Sequence, residues 1–355
     1  MQNETTKSPF PVFDGHNDTL LKLEIDKIKG KERSFFERSE TGHIDMVRAG
    51  EAGFAGGLFA MFVPSNPDQD FSKPFNPKDP ANYQPVPQKE ALDFTYRLLE
   101  HAERIVEDSD QRVAICRTPE EIRSAIEAQT MAISLHMEGA EAIDTQFYAL
   151  EDLHKRGLRS LGLVWSRENA FGHGVPMAHP ASPDIGPGLT GPGRDLVRAC
   201  NQLGILLDVS HLNEKGFWDL ARITDRPIVA SHSNVHEICA SSRNLTDKQL
   251  DAIKESEGLV GINFHIAFLR PDGAYARDMP LDVMADHAAY LVDRVGEDCV
   301  ALGSDFDGCM LPKDLKDVTG LYRLMEAFDA RGFNAQLLEK IAYKNWLSAL
   351  EKAAA

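Results

Sequence analysis

Eight short runs rich in Val, Ile, Leu and Phe recur along the chain, most of them followed by a stretch with helical periodicity. The first is Val12–Asp14, and the others span 53–63, 131–136, 160–165, 204–210, 227–231, 259–264 and 299–304. A strand that is apolar without alternation needs cover on both faces, as a parallel sheet wrapped in helices provides. Amphipathic patterns over Gln88–Glu107, 195–202, 213–221, 246–255, 281–294, 321–330 and 335–350 supply that cover. Thr118-Pro119-Glu120-Glu121 adds the cap, proline and acidic residue of a helix start. Eight strands alternating with helices match the count and size of a (β/α)8 TIM barrel. A doubly wound open sheet would ordinarily carry a glycine-rich phosphate loop after a strand, and no G-x-G-x-x-G follows one here. No repeat or linker divides the chain, so a single domain over 1–355 is expected, with long strand-to-helix loops near 64–87 and 166–193. Loops of that length are often functional, and both are expected to shape a pocket at the barrel mouth.

A formal net charge of −17 argues against nucleic acid and anionic membrane as partners. No apolar run is long enough to span a bilayer, and Met1–Phe10 lacks the apolar stretch of a signal peptide. The five cysteines are scattered with no Cys-x-x-Cys, which fits free thiols in a reducing compartment. A cytoplasmic protein is expected.

The chemistry gathers where the runs end. The first leads into His16-Asn17-Asp18, and residues two apart on a strand point the same way, so an imidazole and a carboxylate converge. The third run ends at His136-Met137-Glu138, the fifth at Asp208-Val209-Ser210-His211, the sixth at Ser231-His232-Ser233 and the eighth at Ser304-Asp305-Phe306-Asp307. In a barrel all those ends surround one mouth. His16, Asp18, Glu138, His211 and His232 are too many ligands for one open catalytic zinc, whereas two metals bridged by Glu138 use them all. Nitrogen and oxygen donors without thiolate suit Zn2+, with Mn2+ or Co2+ as alternatives, and a two-metal site points to hydrolysis. His136 is expected to pack inside the barrel, and Asp14 to hydrogen-bond behind the site instead of ligating. His43, His101, His154, His179, His236 and His287 read as surface or structural. Arg243, on the loop after the sixth run, is either solvated or a bidentate carboxylate clamp.

These motifs, in this order and over nearly the whole chain, resemble the renal (membrane) dipeptidase family. The resemblance implies a metal-dependent hydrolase barrel with a binuclear zinc site, a homodimer, and hydrolysis of dipeptides, many with a D-residue at the C-terminal position. It places His16 and Asp18 on one zinc, His211 and His232 on the other, and Glu138 plus a water or hydroxide between them. Arg243 then binds the substrate carboxylate. The bridging hydroxide attacks the scissile amide, and Asp305 accepts its proton and passes it to the leaving amine. Two positions depart from the family pattern. Trp165 stands where the animal enzymes have a histidine that assists the carbonyl oxygen, and His265 stands where they have a tyrosine. His265 is expected to take over the missing imidazole's role, with His173 on the long loop as the other candidate. The alternatives are another amidohydrolase-type hydrolase acting on a lactone, amide or ester, and a catalytically silent metal-barrel protein. The first often uses His-x-His and a bridging lysine, both missing here.

Overall fold

Nine parallel strands form one sheet in the computed structural model, which describes residues 7–65 and 76–355. They are β1 (Val12–Asn17), β2 (Phe54–Phe62), β3 (Val113–Ile115), β4 (Met131–Glu138), β5 (Leu158–Gly162), β6 (Leu206–Asp208), β7 (Val229–Ala230), β8 (Leu259–Ile262) and β9 (Val300–Leu302). Eight of them run in the order β1-β2-β4-β5-β6-β7-β8-β9. The ring closes where Asn17 bridges Phe306, with Asp305 N–H donating to His16 O at 2.9 Å and Asp18 N–H to Phe306 O at 2.7 Å. The eight expected strands and the (β/α)8 barrel are therefore present.

The ninth strand is an addition. Three residues are too few to show a period, so β3 leaves no mark in the sequence. It pairs Val113, Ala114 and Ile115 with Met131, Ala132 and Ile133, while β5 takes the same edge of β4 further on, from Leu135 to Glu138. β3 thus extends the wall below the point where β5 begins.

Several strands are shorter than their apolar runs. The runs at 204–210, 227–231 and 299–304 contract to three, two and three residues of ladder. Beyond that the backbone donors turn to carboxylates. Asp208 Oδ1 accepts from the N–H groups of Ser210 (2.9 Å) and Ser231 (2.8 Å), and Asp14 accepts from Ser304 N–H and Oγ–H, both at 2.7 Å. Every buried N–H needs a partner, and these side chains replace the ladder where the chain must bend toward the mouth.

The floor of the barrel is a separate apolar cluster. Phe13, Leu58, Ala132, Leu206, Val229, Leu259 and Ala301 meet Trp346, Leu347 and Leu350 of the last helix. The expected 335–350 helix is divided into Ala335–Glu339, a π turn at Lys340–Lys344, and Asn345–Ala354. An extra residue in a turn rotates the face that follows, and Trp346 here lies fully buried with its indole N–H on Leu302 O at 2.8 Å. Gly15 has no side chain because any Cβ would overlap the Trp346 ring.

The Gln88–Glu107 helix has the expected bounds, and Thr118 caps Pro119–Glu127 through Glu121 N–H. Of the loop expected over 64–87, residues 66–75 lie outside the described residues. The irregular stretch after β5 runs until the helix Gly191–Leu203 begins. Among the described residues no helix is long and apolar enough to cross a membrane.

Candidate metal centre and active site

The strand ends bring His16, Asp18, Glu138, His211, His232 and Asp305 together at the barrel mouth, all but Asp305 almost completely buried. His16 Nε2 lies 3.4 Å from Asp18 Oδ2 and 3.7 Å from Glu138 Oε2. On the other side Glu138 Oε1 lies 2.8 Å from His211 Nε2 and 3.5 Å from His232 Nε2. Donor atoms of His16, Glu138 and His232 fall within 4.8 Å of one another, and so do those of His16, Asp18 and Asp305. Glu138 therefore faces histidines from both sides with different oxygens.

The histidines are oriented from behind. Ser231 Oγ donates to Asp208 Oδ2 at 2.6 Å, which leaves its lone pair for a proton on His232 Nδ1, also 2.6 Å away. Ser166 Oγ lies 2.7 Å from His211 Nδ1. The proton on His232 Nδ1 leaves a bare lone pair on its Nε2, which faces His211 Nε2 at 3.0 Å; with His211 protonated on Nδ1 toward Ser166, its Nε2 would present a lone pair as well. Burial lowers the pKa of both rings well below the usual imidazole range, so neither is charged. Two lone pairs at that distance repel unless a cation lies against them.

The charges on the other side demand the same thing. Burial opposes a proton on His16, yet the carboxylates of Glu138 and Asp18 outweigh it and raise its pKa to about 10. Burial pushes Glu138 well above the carboxylate range, and burial with the nearby Asp18 charge pushes Asp305 up to about 7. Both ring nitrogens of His16 and Oδ1 of Asp18 are buried with no hydrogen-bond partner. Three crowded carboxylates, three imidazoles and orphaned donor atoms without thiolate fit hard or borderline divalent cations.

His211 and Asp305 hold left-handed backbone (φ 68° and 60°), as does Asp307 at 69°. Such residues cost about 1–3 kcal/mol each and persist where the surroundings enforce them, commonly at active sites. Gly308 closes the turn because a Cβ there would overlap the carboxylates of Asp18 and Asp305. Asn263 Nδ2 donates to Asp305 Oδ2 at 3.0 Å and fixes its rotamer.

Arg243 is buried beside this group. One terminal nitrogen donates to His232 O at 3.3 Å, the guanidinium lies 5.4 Å over the Phe268 ring, and Nε has no partner. Burial draws its pKa down to about 10, against the pull of Asp305 and Glu138. His265 packs its ring against Phe268 (4.6 Å) and Tyr275 (5.3 Å), Nδ1 is buried without a partner, and burial lowers its pKa to about 4. His173 is placed differently, partly exposed on the rim and 3.5 Å from Glu168. Trp165 packs 5.8 Å from His211 and stacks on Tyr83 at 5.8 Å and 22°.

Other residues at the mouth carry no motif of their own. Arg167 donates through Nε to Glu141 at 2.8 Å, through Nη1 to Ser65 Oγ at 3.0 Å and through Nη2 to Val63 O at 2.6 Å, beneath the rings of Trp165 and Phe62. It ties together the loops after β2, β4 and β5. His136 packs inside as expected, edge-on to His16 and bonded to Ser160 at 2.9 Å. His287, expected on the surface or in a structural role, is fully buried between Leu269 O and Val235 N–H.

The model of the membrane dipeptidase family, peptidase family M19, matches residues 2–355. The chain belongs to this family. Its fold superposes with a TM-score of 0.90 on the metallo peptidase dipeptidase AC, 44% identical over 98% of this chain and 99% of that one. It also superposes, with a TM-score of 0.89, on a metallo peptidase of Rhodobacter sphaeroides liganded with a phosphinate mimic of L-Ala-D-Ala, 42% identical over 97% of this chain and 99% of that one. A protein of Acinetobacter calcoaceticus, described by its place in the PQQ-III 3′ region, is 42% identical over 80% of this chain and 90% of its own length. The protein is thus a metallo-dipeptidase, and the mouth of this dipeptidase's barrel holds residue groups able to bind metal ions.

Proposed function

We propose that this dipeptidase cleaves dipeptides with a free C-terminal carboxylate, L-D pairs among them, at two zinc ions. His16 and Asp18 hold one, His211 and His232 the other, and Glu138 lies between. The observation that carries this reading is the pair of overlapping donor groups sharing His16, with Glu138 bridging across to His211. Bound there, divalent ions would polarise the scissile carbonyl and bring a water's pKa toward neutrality.

The chain's own residues do the rest. Arg243 offers a buried guanidinium with an unpartnered Nε, the donor a substrate carboxylate needs in a dry pocket. Asp305, raised to about 7 by burial, can hold a proton taken from the nucleophile and release it to the leaving amine. His265 stands close enough to Arg243 to share Phe268, and its neutral ring with a free Nδ1 supports the role of the family histidine missing at Trp165. Trp165 and Tyr83 form an aromatic wall for the substrate's side chains. The inclusion of L-D pairs is supported by the phosphinate mimic of L-Ala-D-Ala bound to the Rhodobacter sphaeroides relative. Five free cysteines fit the cytoplasm, and we assign a homodimer on the family resemblance.

The test is metal analysis with a panel of L-L, L-D and acidic dipeptides and their desamino and descarboxy analogues. Two zinc ions per chain and turnover confined to substrates with the carboxylate are expected. A zinc-loaded enzyme that hydrolyses lactones or esters and leaves dipeptides intact would overturn the reading. Within the same panel His265→Ala should lower kcat roughly a hundredfold to a thousandfold, the range for one lost donor or proton-transfer group, and His173→Ala should leave it within a factor of a few. The reverse order of effects assigns the role to His173.

A further inference from the structure

A second pocket, of about 230 Å³, has none of the candidate metal ligands in its lining and is walled by Arg38, Glu40, His43, Arg48, Arg277, Lys316 and Asp317. Four cations against two carboxylates is an unusual concentration on a chain of net charge −17. Two of the cations are occupied. Arg38 pairs with Glu51, and Arg48 spends its donors on Asp45, Asp317 and the carbonyls of Gly42 and Thr41.

The other two cations are less engaged among the described residues. Arg277 uses only Nε, on Leu311 O at 3.0 Å, and its terminal nitrogens have no partner among the described residues. Lys316 is largely exposed and reaches Asp317 only at 3.9 Å. His43 is the most informative. Asp307 N–H donates to its Nδ1 at 2.8 Å, so in the neutral ring the proton is on Nε2, where no described residue accepts it. His43 N–H returns a hydrogen bond to Asp307 Oδ1 at 2.6 Å. The pocket thus presents an imidazole N–H, a guanidinium fork and an ammonium, and it reaches the Asp305–Asp307 turn through one residue. Glu40, exposed on the rim, is the one carboxylate there without a cationic partner among the described residues.

We propose that this pocket binds a small oxyanion, a carboxylate or a phosphate, held by Arg277, Lys316 and His43 Nε2–H, and that its occupancy is felt at the catalytic turn through Asp307. Planar guanidinium forks and imidazole N–H donors match the oxygens of either group.

The experiment is titration calorimetry of the metal-loaded enzyme at low ionic strength with inorganic phosphate, acetate and glycine in separate arms, beside the Arg277→Ala/Lys316→Ala variant. Neither residue touches the metal ligands, so metal content and unliganded turnover should stay at wild-type values. Saturable binding in at least one arm, weakened roughly tenfold or more in the variant by loss of two charge-assisted partners, is the expected result. The arm that binds identifies the source, and glycine outbinding acetate assigns the ammonium to Glu40. Absence of saturable binding, or equal affinity in the variant because the anion binds at the metals, overturns the site. A bound anion that leaves kcat/KM unchanged overturns the link through Asp307.

Discussion

Glu138→Gln should cost the enzyme bound metal and roughly a hundredfold to a thousandfold in kcat, the rate equivalent of several kcal/mol of charge stabilisation. The amide keeps the carboxylate's shape, so the barrel should fold. What changes is charge. Glu138 faces His16 with one oxygen and His211 and His232 with the other. One neutral amide cannot offer anionic oxygens to both sides, and its NH2 would confront a histidine lone pair. Metal analysis alongside activity is the check. A variant with full metal content and near-normal turnover would show that the two sides do not share Glu138.

Asp305→Asn separates proton transfer from metal binding. Full metal content with kcat reduced roughly 10²- to 10⁴-fold is expected for loss of a general acid–base group. The pH dependence sharpens it. Burial raises Asp305 to about 7, so the folded carboxylate is ionised, and able to accept a proton, only above that value. Cations bound beside it lower the figure. The acidic limb of the wild-type rate should therefore rise with pH at or below about 7, and in the variant that limb should vanish. An unchanged limb assigns the titration to another group.

The barrel and the residues at its mouth were readable because both rest on short-range regularities. Apolar runs report strands covered on both faces. His16-x-Asp18 marks where the first strand ends: Asp18 lies just beyond β1, at the N-cap of the next helix, and still brings its carboxylate to 3.4 Å from His16. The partners behind His211 and His232 were harder to see. Asp208, Ser231 and Ser166 are ordinary polar residues near strand ends, and only the register of β6 beside β7 brings Asp208 to Ser231. An acidic residue closing one strand, with a Ser-His dipeptide just after the next, is the signal that could have found them. β3 was missed because three residues carry no period. Arg167 gave no hint at all, since its partners Val63, Ser65 and Glu141 lie on two other loops. His43 reads from the sequence as surface or structural, and the structural part is specific: its ring nitrogen holds the turn that carries Asp307.

The Arg167 knot has a mechanical consequence. One guanidinium fastens three strand-to-helix loops and underlies both Trp165 and Phe62. Val63, Ser65, Glu141 and Arg167 are thereby fastened to one another, so these anchor points of the three loops are expected to move together. Adaptation to substrates of different girth is then expected of the opposite half, where Tyr275 lies on the segment after β8. Altering selectivity by exchanging one loop on the fixed side would release the other two, so redesign has the freer hand across the mouth.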